Sequence, residues 1–222
     1  REIGFGLSGN FVNASLKYQL YMMNGFNGYD GTATFNGSNG LRKGRQKGAE
    51  SYINSPNFTA RAQYYGLKGL QIGISGYFGK SQSSLYDGIA KNNDTLLSIA
   101  DSSRVGIAML GFDLKYSIGG FEFRSQYYLT NLSNTLQYNH FAGTSAQPGD
   151  LGSQMNGYYI EAAYNVFHST DIESKLLPFV RFESYNTQNK METGLSANDK
   201  NHKDIITSGL GWKINSGAML KA

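Results

Sequence analysis

The chain contains no cysteine, only three prolines and few charged residues. The absence of cysteine excludes disulfides and thiolate chemistry within these 222 residues and is compatible with an oxidising compartment. With so little proline, β-strands can run long without losing hydrogen-bond donors. Charged residues make up 16% of the chain, below the roughly one quarter that is typical of soluble domains. This composition is unusual for a soluble globular protein.

Long apolar runs are also missing. The longest, residues 105–112, has eight residues and includes two glycines. A transmembrane helix needs about 20 apolar residues, so none is expected. The net charge of +4 is spread along the chain. Binding to nucleic acid would require a concentrated basic face, and we therefore expect no nucleic-acid partner.

The sequence does contain a strict alternation of apolar and polar residues. In the first clear example, one parity holds Val12, Ala14, Leu16, Tyr18, Leu20 and Met22. A period of two predicts a β-strand with one apolar face and one polar face. Its length, about ten residues, suits a tilted strand that crosses a bilayer.

The same pattern recurs along the whole chain. It predicts strands over 2–8, 12–24, 58–65, 70–78, 104–117, 121–131, 157–167, 176–186 and 204–214, with another beginning at 218. Short turns alternate with long polar loops, which are expected at about 25–57, 79–103, 132–156 and 187–203. Antiparallel strands with short turns at one end and long loops at the other are typical of bacterial outer-membrane barrels.

We therefore predict an all-β fold, an antiparallel transmembrane β-barrel that forms a single domain over residues 1–222. Both ends fall inside strand-like segments, so we expect a chain truncated at both ends, with about ten strands of a larger barrel. The rival interpretation is a soluble sandwich or a small ligand-binding barrel. Four long loops without structure of their own argue against a soluble compact domain.

In a membrane barrel, the polar parity lines the interior. Five basic candidates share this parity: Lys17, Arg61, Lys115, Arg124 and Arg181. Acidic residues interrupt them, and Glu122 or Glu161 is expected to pair with Arg124. Two interpretations remain open: these charges satisfy one another, or they give the interior a weak preference for anions.

The first long loop carries a basic cluster among glycines, residues 40–48 (GLRKGRQKG). Arg42, Lys43, Arg45 and Lys47 could bind phosphate groups, because glycines let backbone donors approach an anion. Three roles remain open for this loop. It could narrow the pore, bind surface polysaccharide phosphates or a partner protein, or be solvated without a specific role.

No enzyme, metal site or cofactor site is predicted. The three histidines, His140, His168 and His202, fall in different loops or turns, so spacing builds neither a triad nor a metal cluster. Three aspartates in the second loop lack the close spacing of a calcium loop. We expect a protein that is not an enzyme and has no cofactor.

Several segments resemble the phosphate-selective porin (porin O and P) family of Gram-negative outer membranes. They are residues 18–25 (YQLYMMNG), 40–48 (GLRKGRQKG), 55–58 (SPNF) and 69–79 (GLQIGISGYFG). The resemblance implies a barrel of about sixteen strands that assembles as a trimer. It also implies an arginine ladder, which maps to Arg61, Arg124 and Arg181, and a basic constriction, which maps to the cluster in the first loop. Because glutamates interrupt the arginines, we expect a general porin.

The function predicted from sequence is a passive outer-membrane channel for small hydrophilic solutes, with a mild anion or phosphate preference. Its expected partners are outer-membrane lipid, small hydrophilic or anionic solutes, and further copies in a homotrimer or a larger envelope complex. The alternative is a structural barrel subunit with a blocked lumen in a larger outer-membrane assembly.

Overall fold

A computed structural model describes residues 2–144, 146–215 and 217–222. The described residues form one ten-stranded antiparallel sheet, in which the strands lie side by side in their order along the chain. Its strands are β1 (Gly4–Phe11), β2 (Leu16–Met23), β4 (Asn57–Tyr64), β5 (Leu70–Lys80), β7 (Gly106–Ile118), β8 (Phe121–Ser133), β9 (Gln154–Tyr164), β10 (Lys175–Lys190), β11 (His202–Lys213) and β12 (Met219–Lys221). Two short strands, β3 (Asn27–Tyr29) and β6 (Gln82–Ser83), pair in parallel outside this sheet.

Each strand pairs with its neighbour in sequence within the large sheet, which confirms the predicted all-β antiparallel organisation. The connections alternate between short turns at one end and long loops at the other. β1 and β12 stand at the two ends of the strand order, and the described residues do not pair them with each other. The sheet is therefore open, and closure into a barrel stays a prediction.

The strand predicted over 12–24 begins later than its alternation suggested. Val12 and Ala14 lie in a turn of 3-10 helix, and β2 begins only at Leu16. Ser15 ends this turn with a φ of 51° and donates its N–H to the Val12 carbonyl. The turn reverses the chain between β1 and β2, so the apolar parity of Val12 and Ala14 is not part of a strand. The short turn expected between the strand ending at 214 and the one beginning at 218 includes position 216, which lies outside the described residues.

The long loops are more structured than predicted. Helix α1 (Asp94–Ser102) lies in the second loop and helix α2 (Thr135–Ala142) in the third. The strands β3 and β6 join the first loop to the second. Within the described residues, no helix is long and apolar enough to cross a membrane.

The buried core lies at the loop end of the sheet and not under its centre. The buried apolar residues that pack together are Phe35, Leu41, Val105, Ile107, Leu132, Tyr138 and Leu151. Ile107 and Leu132 come from strands and share the parity of the polar side chains. The loops supply Phe35, Leu41, Tyr138 and Leu151, so they fold over the polar side of the sheet.

Candidate functional site: the polar face and its loop cap

The sheet presents a polar face on one side, and the strand register places five candidate residues on it. They are Lys17 on β2, Arg61 on β4, Lys115 on β7, Arg124 on β8 and Arg181 on β10. One row across four strands joins Lys115, Arg124, Glu161 and Arg181. The residues predicted from sequence to share one face of the sheet therefore do share it in the fold.

Arg61 makes a two-pronged ion pair with Asp113 on β7, across the intervening strand β5. Its Nη1 and Nη2 atoms lie 2.6 and 2.8 Å from the two carboxylate oxygens. Gly73 of β5 stands between them, and a Cβ there would be 2.4 Å from Asp113 Oδ1. A side chain at this position would thus occupy the space that the ion pair uses.

The other two arginines are also paired with carboxylates. Arg124 contacts Glu122 at 3.0 Å and Glu161 at 3.7 Å, which confirms the pairing predicted from sequence. Arg181 lies 2.9 Å from Glu183, and its guanidinium stacks 3.9 Å from the centre of the Tyr159 ring. These arginines do not form an uninterrupted cationic ladder, because each is neutralised by an acidic neighbour.

The two candidate lysines of the polar face differ from the arginines. Within the described residues, neither Lys17 nor Lys115 has a carboxylate within 4 Å. The ammonium group of Lys17 lies 5.3 Å from the centre of the Tyr65 ring. Both lysines are exposed. The unbalanced positive charge on this part of the polar face is therefore carried by lysine.

The opposite side of the sheet, the apolar face, exposes large hydrophobic side chains along its whole width. These include Phe5, Leu7, Leu20, Phe58, Ile72, Ile74, Phe78, Leu110, Phe112, Ile160, Val180, Ile206, Leu210 and Trp212. Ile72 is 45% exposed and Ile206 is 75% exposed, although both lie within strands. Soluble monomers rarely expose a contiguous apolar patch larger than a few hundred square ångströms. This face therefore needs an apolar environment or partner.

The long loops are joined into a single cap at one end of the polar face. Gln82 of the second loop is fully buried, and its amide oxygen accepts hydrogen bonds from the N–H groups of Asn54 and Ser55 in the first. Tyr138 on α2 donates to the Gly28 carbonyl at 2.7 Å and accepts from the Phe35 N–H at 3.1 Å. These contacts tie the second and third loops to the first.

The fourth loop and the end of β10 complete the cap. Thr187 donates its hydroxyl to the Gly37 carbonyl of the first loop. Gln188 donates to the Asp150 carbonyl of the third loop and accepts from Asn198 at 2.7 Å. Buried amide side chains satisfied by loop backbone fix these connections, because leaving such groups unpaired would cost about 1–3 kcal/mol each.

The basic cluster occupies residues 42–47 of the cap. Its backbone is held by Leu41, which is in the buried core, and by Gln46, which is 7% exposed. The Gln46 amide donates to the Gly25 carbonyl at 2.9 Å and accepts from the Tyr52 N–H at 3.0 Å. Three cationic side chains between these anchors, Arg42, Lys43 and Arg45, are exposed, and so is Lys47, directly after Gln46.

This segment lies on the polar side of the sheet. A Cβ on the neighbouring Gly40 would be 3.1 Å from the sulfur of Met155, which shares the polar parity. Lys47 is 3.7 Å from Glu50, with both side chains largely exposed, so this pair adds little stability. The structure therefore places the basic segment at the loop end of the polar face, on a fixed backbone.

Two tyrosines of the cap have raised pKa values. Burial, followed by the charge of Asp30, raises the pKa of Tyr52 to about 12. Burial also raises the pKa of Tyr138 above its ordinary value. Both hydroxyls make hydrogen bonds to the first loop. The Tyr52 hydroxyl donates to Asn27 Oδ1 at 2.8 Å, and the Tyr138 hydroxyl donates to the Gly28 carbonyl. The folded cap therefore favours the neutral, protonated form of both tyrosine side chains.

The structure brings together a serine, a histidine and an acid that sequence spacing did not reveal. His202 Nε2 lies 3.4 Å from the Ser184 hydroxyl and 3.6 Å from Asp204 Oδ1. A catalytic triad needs the acid and the hydroxyl on different ring nitrogens, whereas here both face the same one. Among the described residues, no three metal-ligating side chains are grouped around a common point.

The comparison with known proteins gives a relative without an assigned activity. No protein-family model matches the chain. It is 25% identical over 221 residues to a protein of Aquifex aeolicus (strain VF5) described as uncharacterized. The match covers 100% of this chain but 47% of the relative, so the chain spans about half the length of that protein. The resemblance to phosphate-selective porins stays a prediction.

Proposed function

We propose that this chain forms a large part of an outer-membrane β-barrel channel for passive diffusion of small hydrophilic solutes. The observation that carries the proposal is the polarity of the two faces of the sheet. Large apolar side chains are exposed on one face, while ionic groups and the loop cap occupy the other. A lipid-facing exterior and a water-filled interior account for this distribution, which a soluble sheet would reverse.

In this proposal, the polar face is the wall of the channel. Paired arginines and carboxylates give the wall strong local fields but little net charge. The lysines and the basic segment of the cap add an excess of positive charge, which favours small anions over cations. We propose a general channel with a mild anion preference, since the three arginines that a phosphate ladder would use are already paired with acids.

The proposed partners of the sheet follow from its apolar face and its two edges. Outer-membrane lipid contacts the apolar face, and further strands of the full-length protein, or further copies in a trimer or larger envelope complex, cover the edges β1 and β12. Unpaired edge strands cannot be left in the hydrocarbon region, because their backbone groups would have no hydrogen-bond partners there.

A second candidate function is a structural barrel subunit whose lumen is blocked. The hydrogen-bonded cap favours it, because loops fixed by buried Gln82 and Tyr138 do not move aside easily. The two functions differ in one property: the cap narrows an open channel or it seals a closed one.

Recording single-channel currents from the full-length protein in a planar bilayer under a KCl gradient tests the proposal. Stable conducting steps with a reversal potential displaced toward that of chloride are expected. Correctly inserted protein without conductance would contradict the channel and favour the structural subunit. Insertion is checked independently by protection of the strands from protease in vesicles.

A further inference from the structure

The polar face contains a slot between two tyrosines, Tyr128 on β8 and Tyr185 on β10. Both pair in register with Gly157 on the strand between them, β9. Strands two apart are separated by about 9–10 Å, which leaves room for one flat ring between the two side chains. The Tyr128 ring leans over Gly111 on the far side, since a Cβ there would be 2.5 Å from Tyr128 Cε1. Gly157 thus forms the floor of an open slot.

The slot is part of a recess of about 280 Å³, close to the lower end of the size range of small-molecule sites, about 300–1,000 Å³. Its lining includes Gln126, Thr130, Tyr159, Arg181 and Glu183 beside the two tyrosines. These side chains offer amide, hydroxyl, guanidinium and carboxylate groups as hydrogen-bond donors and acceptors.

The charges in this recess cancel locally. Arg181 and Glu183 are paired at 2.9 Å, and the guanidinium is stacked on Tyr159. A charged solute therefore gains no strong net attraction here, in contrast to the exposed cations of the cap. The recess therefore combines two tyrosine rings with polar side chains whose charges are already paired. This combination matches a solute that has apolar faces and a polar edge.

We infer that this slot is a binding site for neutral sugars, with a pyranose ring held between Tyr128 and Tyr185. The C–H faces of the ring stack on the tyrosines, and its hydroxyls bond to Gln126, Arg181 and Glu183. The inference rests on the proposed function in one respect: the slot meets solutes only if the polar face is open to water.

Titrating maltose into the folded full-length protein in detergent micelles, with binding followed by saturation-transfer NMR, tests the site without any need for conductance. Tyr128→Ala is expected to weaken binding about tenfold, the order of magnitude of one lost aromatic contact. Tyr128→Phe, which keeps the ring, should bind nearly as well as the wild type. Tyr127→Ala is the matched control, because Tyr127 is the next residue on the opposite face and is 39% exposed against 43% for Tyr128.

Absence of maltose binding by the wild type, or equal loss in the Tyr127 and Tyr128 variants, would overturn the sugar site. Equal binding of open-chain sorbitol would overturn it as well, because sorbitol has no ring to stack. Tighter binding of an aromatic compound such as indole than of maltose would assign the slot to a different class of ligand and contradict the inference.

Currents recorded with the same variants separate the two proposals. Conducting channels that maltose does not interrupt, together with no binding in micelles, would contradict the sugar site alone. Silent bilayers with maltose binding retained would contradict the channel alone.

Discussion

At the scale of single residues, Gly73 determines how charge is arranged on the polar face. It lets the Arg61 guanidinium reach Asp113 across a whole strand, with both contacts shorter than 3 Å. The alternation along their strands puts Arg61 and Asp113 on the same face but gives no reason to pair them, because they are 52 residues apart. The pairing depends on strand register and on the missing side chain between them.

Gly73→Ala is expected to separate Arg61 from Asp113, since the new Cβ would be 2.4 Å from Asp113 Oδ1 and 2.7 Å from Arg61 Nη2. Both side chains can swing away, so the free energy of unfolding should fall by only about 1 kcal/mol. Urea unfolding in lipid vesicles measures this change. In an Asp113→Ala background, the same glycine substitution should cost almost nothing, and equal costs in both backgrounds would refute the explanation.

At the scale of elements, the strands follow from the sequence and the cap does not. A period of two identifies a strand and the two faces of its residues, and nine long segments were recognised in this way. The cap depends on contacts such as Tyr138 with Gly28, which are 110 residues apart and have no local pattern. The helices α1 and α2 were missed for a related reason, since they are short and lie in polar, glycine-rich segments.

The basic segment gives an element-scale prediction. Replacing Arg42, Lys43, Arg45 and Lys47 together by Gln should reduce the anion preference of the channel, because four exposed cations at the loop end of the polar face are removed. Reversal potentials in a KCl gradient measure the change. A variant with Arg42→Lys and Arg45→Lys keeps the charge and serves as the control. An unchanged reversal potential in the Gln variant would mean that the segment lies away from the conduction path.

The tyrosines of the cap predict how it responds to alkaline pH. The folded-state pKa of Tyr52, about 12, is above the ordinary value of 10. Neutral Tyr52 therefore stabilises the cap fully below about pH 10, and this contribution is lost as the pH rises through 12. Proteolysis of the loops as a function of pH should show opening of the cap in this window.

A Tyr52→Phe variant provides the control for the alkaline transition. It lacks the ionising hydroxyl, so its loops should be cleaved somewhat faster at neutral pH and with a weaker dependence on pH above 10. An identical pH profile in the wild type and this variant would show that another group controls the transition.

At the scale of the whole molecule, the division between the two faces was predictable because the alternation holds in almost every strand. Leu177 and Phe179, near the short connection that precedes β10, are apolar although they share the parity of Arg181. Other exceptions lie at the loop end, where Ile107 and Leu132 are apolar at positions of polar parity. Ile107 and Leu132 belong to the core beneath the cap. Sequence alone did not distinguish them from the other residues of the polar face. Closure of the sheet could not be predicted in the same way. It depends on which strands pair with the two edges, β1 and β12, and the alternation within a strand carries no information about that.

Ile72→Arg tests whether the apolar face meets lipid. If Ile72 lies near the middle of the bilayer, the substitution should lower the free energy of unfolding in vesicles by about 2–4 kcal/mol. Ser75→Arg on the same strand is the matched control, because Ser75 lies on the polar face and water can solvate an arginine there. Similar effects at both positions would contradict the assignment of the faces.

The most direct measurement of the central claim is the environment of alternate positions along β5. The chain has no cysteine, so single cysteines at 72, 74, 75 and 77 can be labelled without a background from this region. In vesicles, labels at Ile72 and Ile74 should be quenched by brominated lipid, while cysteines at Ser75 and Tyr77 should not report lipid. Lipid quenching at 75 and 77, or equal exposure to water at all four positions, would contradict a membrane-spanning sheet with a polar interior.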